Sequence, residues 1–333
     1  MTRLPVICLV VLLTACGGDD TTSITGTGGA GGAAGAGGVA SGGASGSGGS
    51  AGAGGGSATG CGKAAPAGGK RTLTHGGGER VYHLHLPPGY DASKPTAVVM
   101  NFHGRTAASF GEAAPLHETV SQLFTKADAA GFIVVNPQGL SESDGSQTWN
   151  AGACCSADSS RDDVGFADAI LDELETLLCV DEKRIFATGL SNGGFLSHRL
   201  ACERAERYAA VAPVAAFNGM ASCNPSRGIS MIAFNGTADK LVSYAASQSS
   251  NQAWVTRNGC NPTPTETFKK GDSHCDTYSG CKDGAEVVFC TIDDGGHTWP
   301  GGMDMSALGF GKTTQDLMAN DAMWDLFQKH PLP

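Results

Sequence analysis

A serine, an aspartate and a histidine recur along the second half of this chain in the order and local setting that acyl transfer requires. Ser191 stands in Gly189-Leu190-Ser191-Asn192-Gly193-Gly194, Asp239 in Phe234-Asn235-Gly236-Thr237-Ala238-Asp239, and His297 in Asp294-Gly295-Gly296-His297-Thr298-Trp299-Pro300. A serine hydroxyl is a poor nucleophile at its own pKa. It needs a base within hydrogen-bond reach and a third group to orient that base. The Gly-x-Ser-x-Gly pattern lifts a serine onto a sharp strand-to-helix turn, where larger neighbours would collide with the chain. The N–H of Asn192, at the start of the following helix, is then aimed where an oxyanion would form. The pattern also occurs at Gly48-Gly49-Ser50-Ala51-Gly52 in a low-complexity tract, so context decides between them. Only Ser191 has a β-branched and aromatic run before it and an amphipathic helix after it, with Phe195, Leu196 and Leu200 at helical spacing.

Four histidines follow Ser191: His198, His274, His297 and His330. His198 lies one turn into the elbow helix, pointing away from the hydroxyl, and His330 lies at the tail, so both read as structural. His297, in a glycine-rich loop after a strand, reads as the base. With this elbow the acid falls between serine and histidine in the chain. Asp239, just past one strand and before a helix, fits; Asp293 and Asp294, which adjoin His297, are its rivals. The second oxyanion donor is expected from the backbone N–H near Arg105, in the turn His103-Gly104-Arg105-Thr106. Trp149 and Trp299 lie close to these loops in sequence and are assigned, with His103, to substrate contact, since an aromatic plate beside a serine suits a planar aryl acyl group or a sugar ring. Core packing is the alternative for the two tryptophans.

Such loops need a rigid sheet beneath them. Residues 80–86 alternate as an edge-like strand, whereas Thr96–Phe102 is nearly all apolar, the mark of a strand buried on both faces. Its polar turn sits at the carboxyl edge, where open α/β sheets place ligands. Residues 116–130 predict a helix stopped by Gly131, and 132–135 the next strand. Asp162 or Asp163 can cap a helix carrying Ile170, Leu171, Leu174, Leu177 and Leu178 on one face. Residues 184–188 lead into the elbow. Further strands are predicted at 209–216, 229–234 and 286–292, and further helices at 245–256 and 314–327. This alternation predicts an α/β fold with a mainly parallel central sheet flanked by helices on both faces.

The N-terminal residues read differently. Arg3, an apolar run over residues 4–13 and Leu13-Thr14-Ala15-Cys16-Gly17 form an export signal too short to span a bilayer. The segment resembles a bacterial lipobox, which implies that residues 1–16 are a lipoprotein signal with Cys16 as the lipid anchor. Residues 17–60 are mostly Gly, Ala, Ser and Thr and cannot bury enough apolar surface to fold, so they read as a disordered tether with a reach of about 35–40 Å. Residues 61–333 are long enough for one large domain. With 22 Lys+Arg against 32 Asp+Glu and no basic run, nucleic acid is not an expected partner, and membrane is expected only through the anchor. Ten cysteines fall in the domain, an even number behind an export signal, which points to disulfides. Cys275 with Cys281 and Cys260 with Cys290 are the first guesses, and Cys154 and Cys155 bridge each other or go elsewhere. His274, Cys275 and Cys281 could ligate zinc, but no C-x-x-C pair or H-E-x-x-H helix accompanies them, so no metal is expected.

The set His103-Gly104, Asn136-Pro137-Gln138-Gly139, Trp149-Asn150, Asp163-Val164-Gly165-Phe166, Cys179-Val180-Asp181, the Ser191 elbow, Asn235 to Asp239 and Gly295 to Pro300 resembles the secreted esterases of carbohydrate esterase family 1. These include feruloyl esterases, acetyl xylan esterases and relatives called polyhydroxybutyrate depolymerases. The resemblance covers nearly all of residues 61–333. It implies an α/β-hydrolase fold, no cofactor, and Ser191, Asp239 and His297 as nucleophile, acid and base. Similar enzymes often carry histidine where this chain has Asn235, which implies a local change in hydrogen bonding. The late cysteine spacing looks most like the feruloyl esterase branch. The expectation is an exported monomeric serine esterase, lipid-anchored at the outer membrane or cell surface or else secreted, that releases hydroxycinnamoyl groups from plant polysaccharide. Acetyl xylan esterase and depolymerase activities are the alternatives within the class, and a surface carbohydrate-binding protein is the alternative outside it.

Overall fold

The computed structural model describes residues 59–333. The signal segment, Cys16 and residues 17–58 of the expected tether lie outside the described residues. Thr59 and Gly60 do not belong to the tether. Gly60 is buried, its N–H donates to the Glu175 carbonyl at 2.9 Å, and a Cβ there would sit 2.3 Å from the Leu178 carbonyl oxygen. The next residue, Cys61, is bonded to Cys179, which pins the start of the domain.

Ten strands make one sheet. Its centre is six parallel strands in the order β4 (Ile133–Pro137), β3 (Thr96–Phe102), β7 (Val180–Leu190), β8 (Ala210–Val214), β9 (Ser230–Gly236) and β12 (Val287–Ile292). Antiparallel strands extend each side: β2 (Gly78–His85) and β1 (Gly69–His75) beyond β4, and β11 (Ser273–Tyr278) and β10 (Thr265–Lys270) beyond β12. A small hairpin of β5 (Leu140–Ser141) and β6 (Gln147–Thr148) follows β4.

The continuous apolar runs of the central strands split by parity into two cores. Val98, Met100, Phe102, Ile185, Ala187, Val211 and Met231 pack in one, with Ile170, Leu174, Leu196, Leu200 and Trp254 from helices α3 (Asp163–Leu177), α4 (Asn192–Glu203) and α5 (Tyr244–Asn258). Val99, Val134, Phe186, Ala212, Ile232 and Phe234 face the other, with Leu123, Ala127, Met323 and Phe327 from α2 (Leu123–Ala130) and α6 (Ala319–Lys329). With α1 (Ala113–Ser121), these helices cover both faces, as the expected fold demands.

Three expectations need correction. The helix over 116–130 is two helices, because Gln122 takes a left-handed conformation (φ 54°) and the Glu118 side chain caps the restart by accepting from the Phe124 N–H at 2.8 Å. The helix over 314–327 begins only at Ala319: Thr314 donates to Asp272 Oδ1 at 2.5 Å, which ties the preceding segment to the β10–β11 turn. The cysteine guesses are exchanged. Cys275 and Cys290 are directly opposed on β11 and β12 and bond to each other, and Cys260 bonds to Cys281. Cys202 pairs with Cys223, and Cys154 with Cys155. Cys275 and Cys281 are therefore not free as zinc ligands. The five disulfides among the described residues fit an oxidising compartment outside the cytosol.

Candidate active site

Strand β7 ends at Leu190 and α4 begins at Asn192, leaving Ser191 as the single residue of the turn. Its φ of 53° and ψ of −123° are strained for a residue with a Cβ, at a cost of about 1–3 kcal/mol that persists only where the surroundings enforce it. They do so here. The Ser191 N–H donates to the Val214 carbonyl at 2.9 Å, and the Ser191 carbonyl accepts from the Phe195 N–H at 2.9 Å. A Cβ on Gly193 would lie 2.0 Å from the Phe102 carbonyl oxygen, and one on Gly189 would lie 2.5 Å from that same atom. The glycines flanking Ser191 thus let the elbow press against the end of β3.

Asp239 lies in the loop after β9 and His297 in the loop after β12, both beyond the carboxyl ends of parallel strands, as Ser191 is. Asp239 Oδ2 accepts from His297 Nδ1 at 2.8 Å, and both side chains are buried. Asp239 Oδ1 accepts from the N–H groups of Leu241 and Val242 at 2.8 and 2.9 Å. The aspartate therefore caps its own loop and orients the histidine at once. An imidazole so held carries its proton on Nδ1 and leaves Nε2 as a proton acceptor. The His297 N–H donates to the Phe310 carbonyl at 2.7 Å, and the two rings stack with centroids 6.3 Å apart. Among the described residues, no hydrogen bond joins Ser191 Oγ to His297 Nε2.

The rival carboxylates fall away. Asp293 and Asp294 are exposed and make no contact with His297, despite being next to it in the chain. Two of the other histidines have structural partners. His198 is buried and accepts the Trp254 indole N–H at 3.1 Å, and burial holds its pKa down to about 3; His330 pairs with Glu286 at 3.1 Å.

The turn after β3 meets the elbow as expected. A Cβ on Gly104 would lie 3.3 Å from the Ser191 Cβ. Among the described residues, the backbone N–H groups of Arg105 and Asn192 meet no acceptor, which leaves both free for an oxyanion. The Arg105 side chain turns elsewhere, to Asp144 at 2.5 Å and Ser146 at 3.1 Å.

The assigned substrate contacts are corrected. Trp149 and Trp299 are both 0% exposed, so neither offers a ring face to a ligand. Trp299 donates its indole N–H to Asn320 on α6 and stands edge-on to His117; Trp149 donates its own to the His103 carbonyl. His103 is 1% exposed, and burial lowers its pKa to about 4. Its Nδ1–H donates to the Gly104 carbonyl at 2.7 Å, and Nε2 accepts the Gly139 N–H at 2.8 Å. Thr106 and Gly139, missed from sequence as parts of the site, hold the same turn. Their one signal was position, since Thr106 closes the turn and Gly139 follows the strand beside it.

Asn235, where similar enzymes often carry histidine, donates to Ser247 Oγ at 2.9 Å and to the Ala216 carbonyl at 3.3 Å. It ties β9 to α5 and takes no part in the Asp239–His297 contact.

No family model matches the chain. Feruloyl esterase C of Emericella nidulans is 32% identical over 273 residues, an alignment that takes in 79% of this chain and 90% of that protein. The chain belongs to the feruloyl esterase family. A protein of Aspergillus niger named probable feruloyl esterase C is 30% identical and covered over 83% of its length. Feruloyl esterase B of Piromyces equi is 31% identical over 235 residues, and there the chain spans only 42% of its relative. Among solved structures, an acetyl xylan esterase from Aspergillus awamori superposes over its full length and 73% of this chain with a TM-score of 0.54 at 15% identity. A thermostable esterase superposes over 79% of this chain and 62% of its own with a TM-score of 0.55 at 16% identity. At such identities the likeness is one of fold. The family member described here is an α/β-hydrolase of the carbohydrate esterase family 1 type and a carboxylic ester hydrolase.

Proposed function

We propose that this chain is an exported serine esterase that releases feruloyl and related hydroxycinnamoyl groups from plant cell-wall polysaccharide through an acyl-enzyme. The observation that carries the reading is the buried Asp239–His297 pair, held beyond the same sheet edge as the strained Ser191 elbow. In this reading Ser191 Oγ attacks the ester carbonyl while His297 Nε2 takes its proton. The tetrahedral oxyanion is held by the N–H groups of Arg105 and Asn192. Collapse expels the alcohol, which receives the proton from His297, and water then attacks the acyl-serine with His297 as base again. In this reading the Ser191–His297 hydrogen bond forms when substrate is bound.

Feruloyl specificity draws its support from the named relatives, and acetyl xylan esterase activity is the second reading because a solved acetyl xylan esterase shares the fold. Cys16 is the proposed lipid anchor, with residues 17–58 as the tether of a monomeric enzyme. Steady-state kcat/KM on methyl ferulate and p-nitrophenyl acetate tests the acyl preference. A ferulate preference of tenfold or more supports the first reading. Activity on the acetate alone moves the protein to the second, and binding of xylan with no turnover of any ester overturns both.

A further inference from the structure

We propose that Trp149 is a positioning residue that sets both arms of the oxyanion hole, with His103 and Thr106 completing the hold on one of them. The inference rests on the serine-esterase reading and assigns a task to a tryptophan that the substrate never touches.

The two N–H groups come from segments far apart in sequence, Arg105 after β3 and Asn192 after β7. Trp149 is bonded to both. Its indole N–H donates to the His103 carbonyl at 2.9 Å, and its backbone N–H donates to Asn192 Oδ1 at 2.6 Å. The Asn192 side-chain amide returns two bonds, to the carbonyls of Trp149 at 3.1 Å and Cys154 at 3.0 Å. All four residues of this exchange, Trp149, Asn192, His103 and Cys154, are buried, so water cannot substitute for a lost partner without cost. The ring itself is fixed edge-on against Phe102, with centroids 5.4 Å apart.

The Arg105 arm is held through peptide geometry. In a planar trans peptide the C=O and N–H point to opposite sides, so fixing the Gly104 carbonyl fixes the direction of the Arg105 N–H. Two donors fix that carbonyl: His103 Nδ1–H at 2.7 Å and Thr106 Oγ1–H at 3.0 Å. His103 is oriented in turn by the Gly139 N–H on its Nε2. A Cβ on Gly139 would lie 3.0 Å from the ring and 2.5 Å from the Thr148 carbonyl oxygen. Trp149 thus restrains the His103–Gly104 peptide, and His103 with Thr106 restrains the next one. The Asn192 arm is restrained through its own side chain. Oxyanion stabilisation depends on donors fixed before the charge develops, so a brace of this kind acts on the transition state and not on the ground state.

The test is Trp149→Phe, which keeps an aromatic ring in the core but removes the indole N–H together with part of the ring volume, a loss that the control below shares. Activity is measured on p-nitrophenyl acetate, with kcat expressed per site titrated by a fluorophosphonate that loses fluoride to Ser191 Oγ. Removing one oxyanion donor costs about 10²–10³ in kcat, so misaiming one is expected to cost about 10–100-fold, with KM changed less than about threefold. Trp254→Phe is the control: it deletes a buried indole N–H of the same kind, donated to His198, and is expected to keep kcat within about twofold. An undiminished kcat in Trp149→Phe, or an equal loss in the control, overturns the brace while leaving the esterase intact. If Trp149→Phe does not accumulate as folded protein, Thr106→Val decides: a kcat loss of about 3–10-fold at constant KM supports the proposal, and no loss overturns it. Wild-type chain that neither turns over nor labels at Ser191 overturns the esterase reading and the brace with it.

Discussion

Asp239 divides its carboxylate between His297 and its own loop: Oδ2 faces His297 Nδ1 at 2.8 Å, while Oδ1 receives two backbone N–H groups from Leu241 and Val242. The cap holds the carboxylate through bonds that do not involve the imidazole. An amide can still accept those loop bonds through its oxygen, but it would offer His297 an N–H and favour the wrong tautomer. Asp239→Asn is therefore expected to lower kcat by about 10³–10⁴-fold while shifting the thermal midpoint by only a few degrees. Steady-state kinetics beside a thermal melt would show it, and a variant with near-native kcat would mean that another group orients His297.

The elbow makes a steric prediction. Because a Cβ on Gly193 would sit 2.0 Å from a backbone carbonyl, Gly193→Ala is expected to cost more than about 3 kcal/mol or to prevent folding. At Gly284, which by contrast has a positive φ but nothing within 4 Å, alanine is expected to cost only about 1 kcal/mol. Urea unfolding of the two variants compares crowding with backbone strain, and equal midpoints would contradict the close contact.

The Cys61–Cys179 bond joins the start of the folded unit to the residue before β7, across a sequence separation of 118. Replacing both cysteines by serine is expected to lower stability by about 2–4 kcal/mol, since the bond closes a long loop in the unfolded chain. Denaturant midpoints measure this, and kcat of the folded fraction should not change.

Buried histidines set the response to acid. Burial holds His103 to about 4 and His117 and His198 to about 3, all below the ordinary 6.5. A depressed folded value means stability that is present above 6.5 and lost as pH falls through the folded values. Glu118 opposes them: burial raises its carboxyl to about 7, so its contribution is present below 4.5 and lost as pH rises through 7. Three groups outweigh one. The urea midpoint is expected to be lower at pH 5 than at pH 7, and Glu118→Gln is expected to widen that gap. A midpoint that rises on acidification would contradict the neutral state of the histidines.

The central strands and the elbow were legible because burial on both faces leaves continuous apolar runs and because a strained serine needs small neighbours. His297 and Asp239 were legible from chain order and from their place after strands. The outer strands were harder. β10, Thr-Glu-Thr-Phe-Lys-Lys, is mostly exposed and lacks an apolar alternation, and β1 pairs only with β2, so neither carries a burial signal. The exchange of cysteine partners followed from register, since opposition of Cys275 and Cys290 depends on how β11 aligns with β12. Trp149 was misread because an aromatic near catalytic loops in sequence looks the same whether its ring faces substrate or its N–H ties two loops together. Only the partners of its polar atoms separate the two.

The most direct test of the account is the identity of the acylated residue. The protein is mixed with methyl ferulate or p-nitrophenyl acetate, quenched in acid within the first turnover, digested and mapped by mass spectrometry. A single acyl group is expected on the peptide bearing Ser191, with no adduct or turnover in Ser191→Ala. An acyl group on another residue, or a Ser191→Ala variant that keeps its turnover, would contradict it.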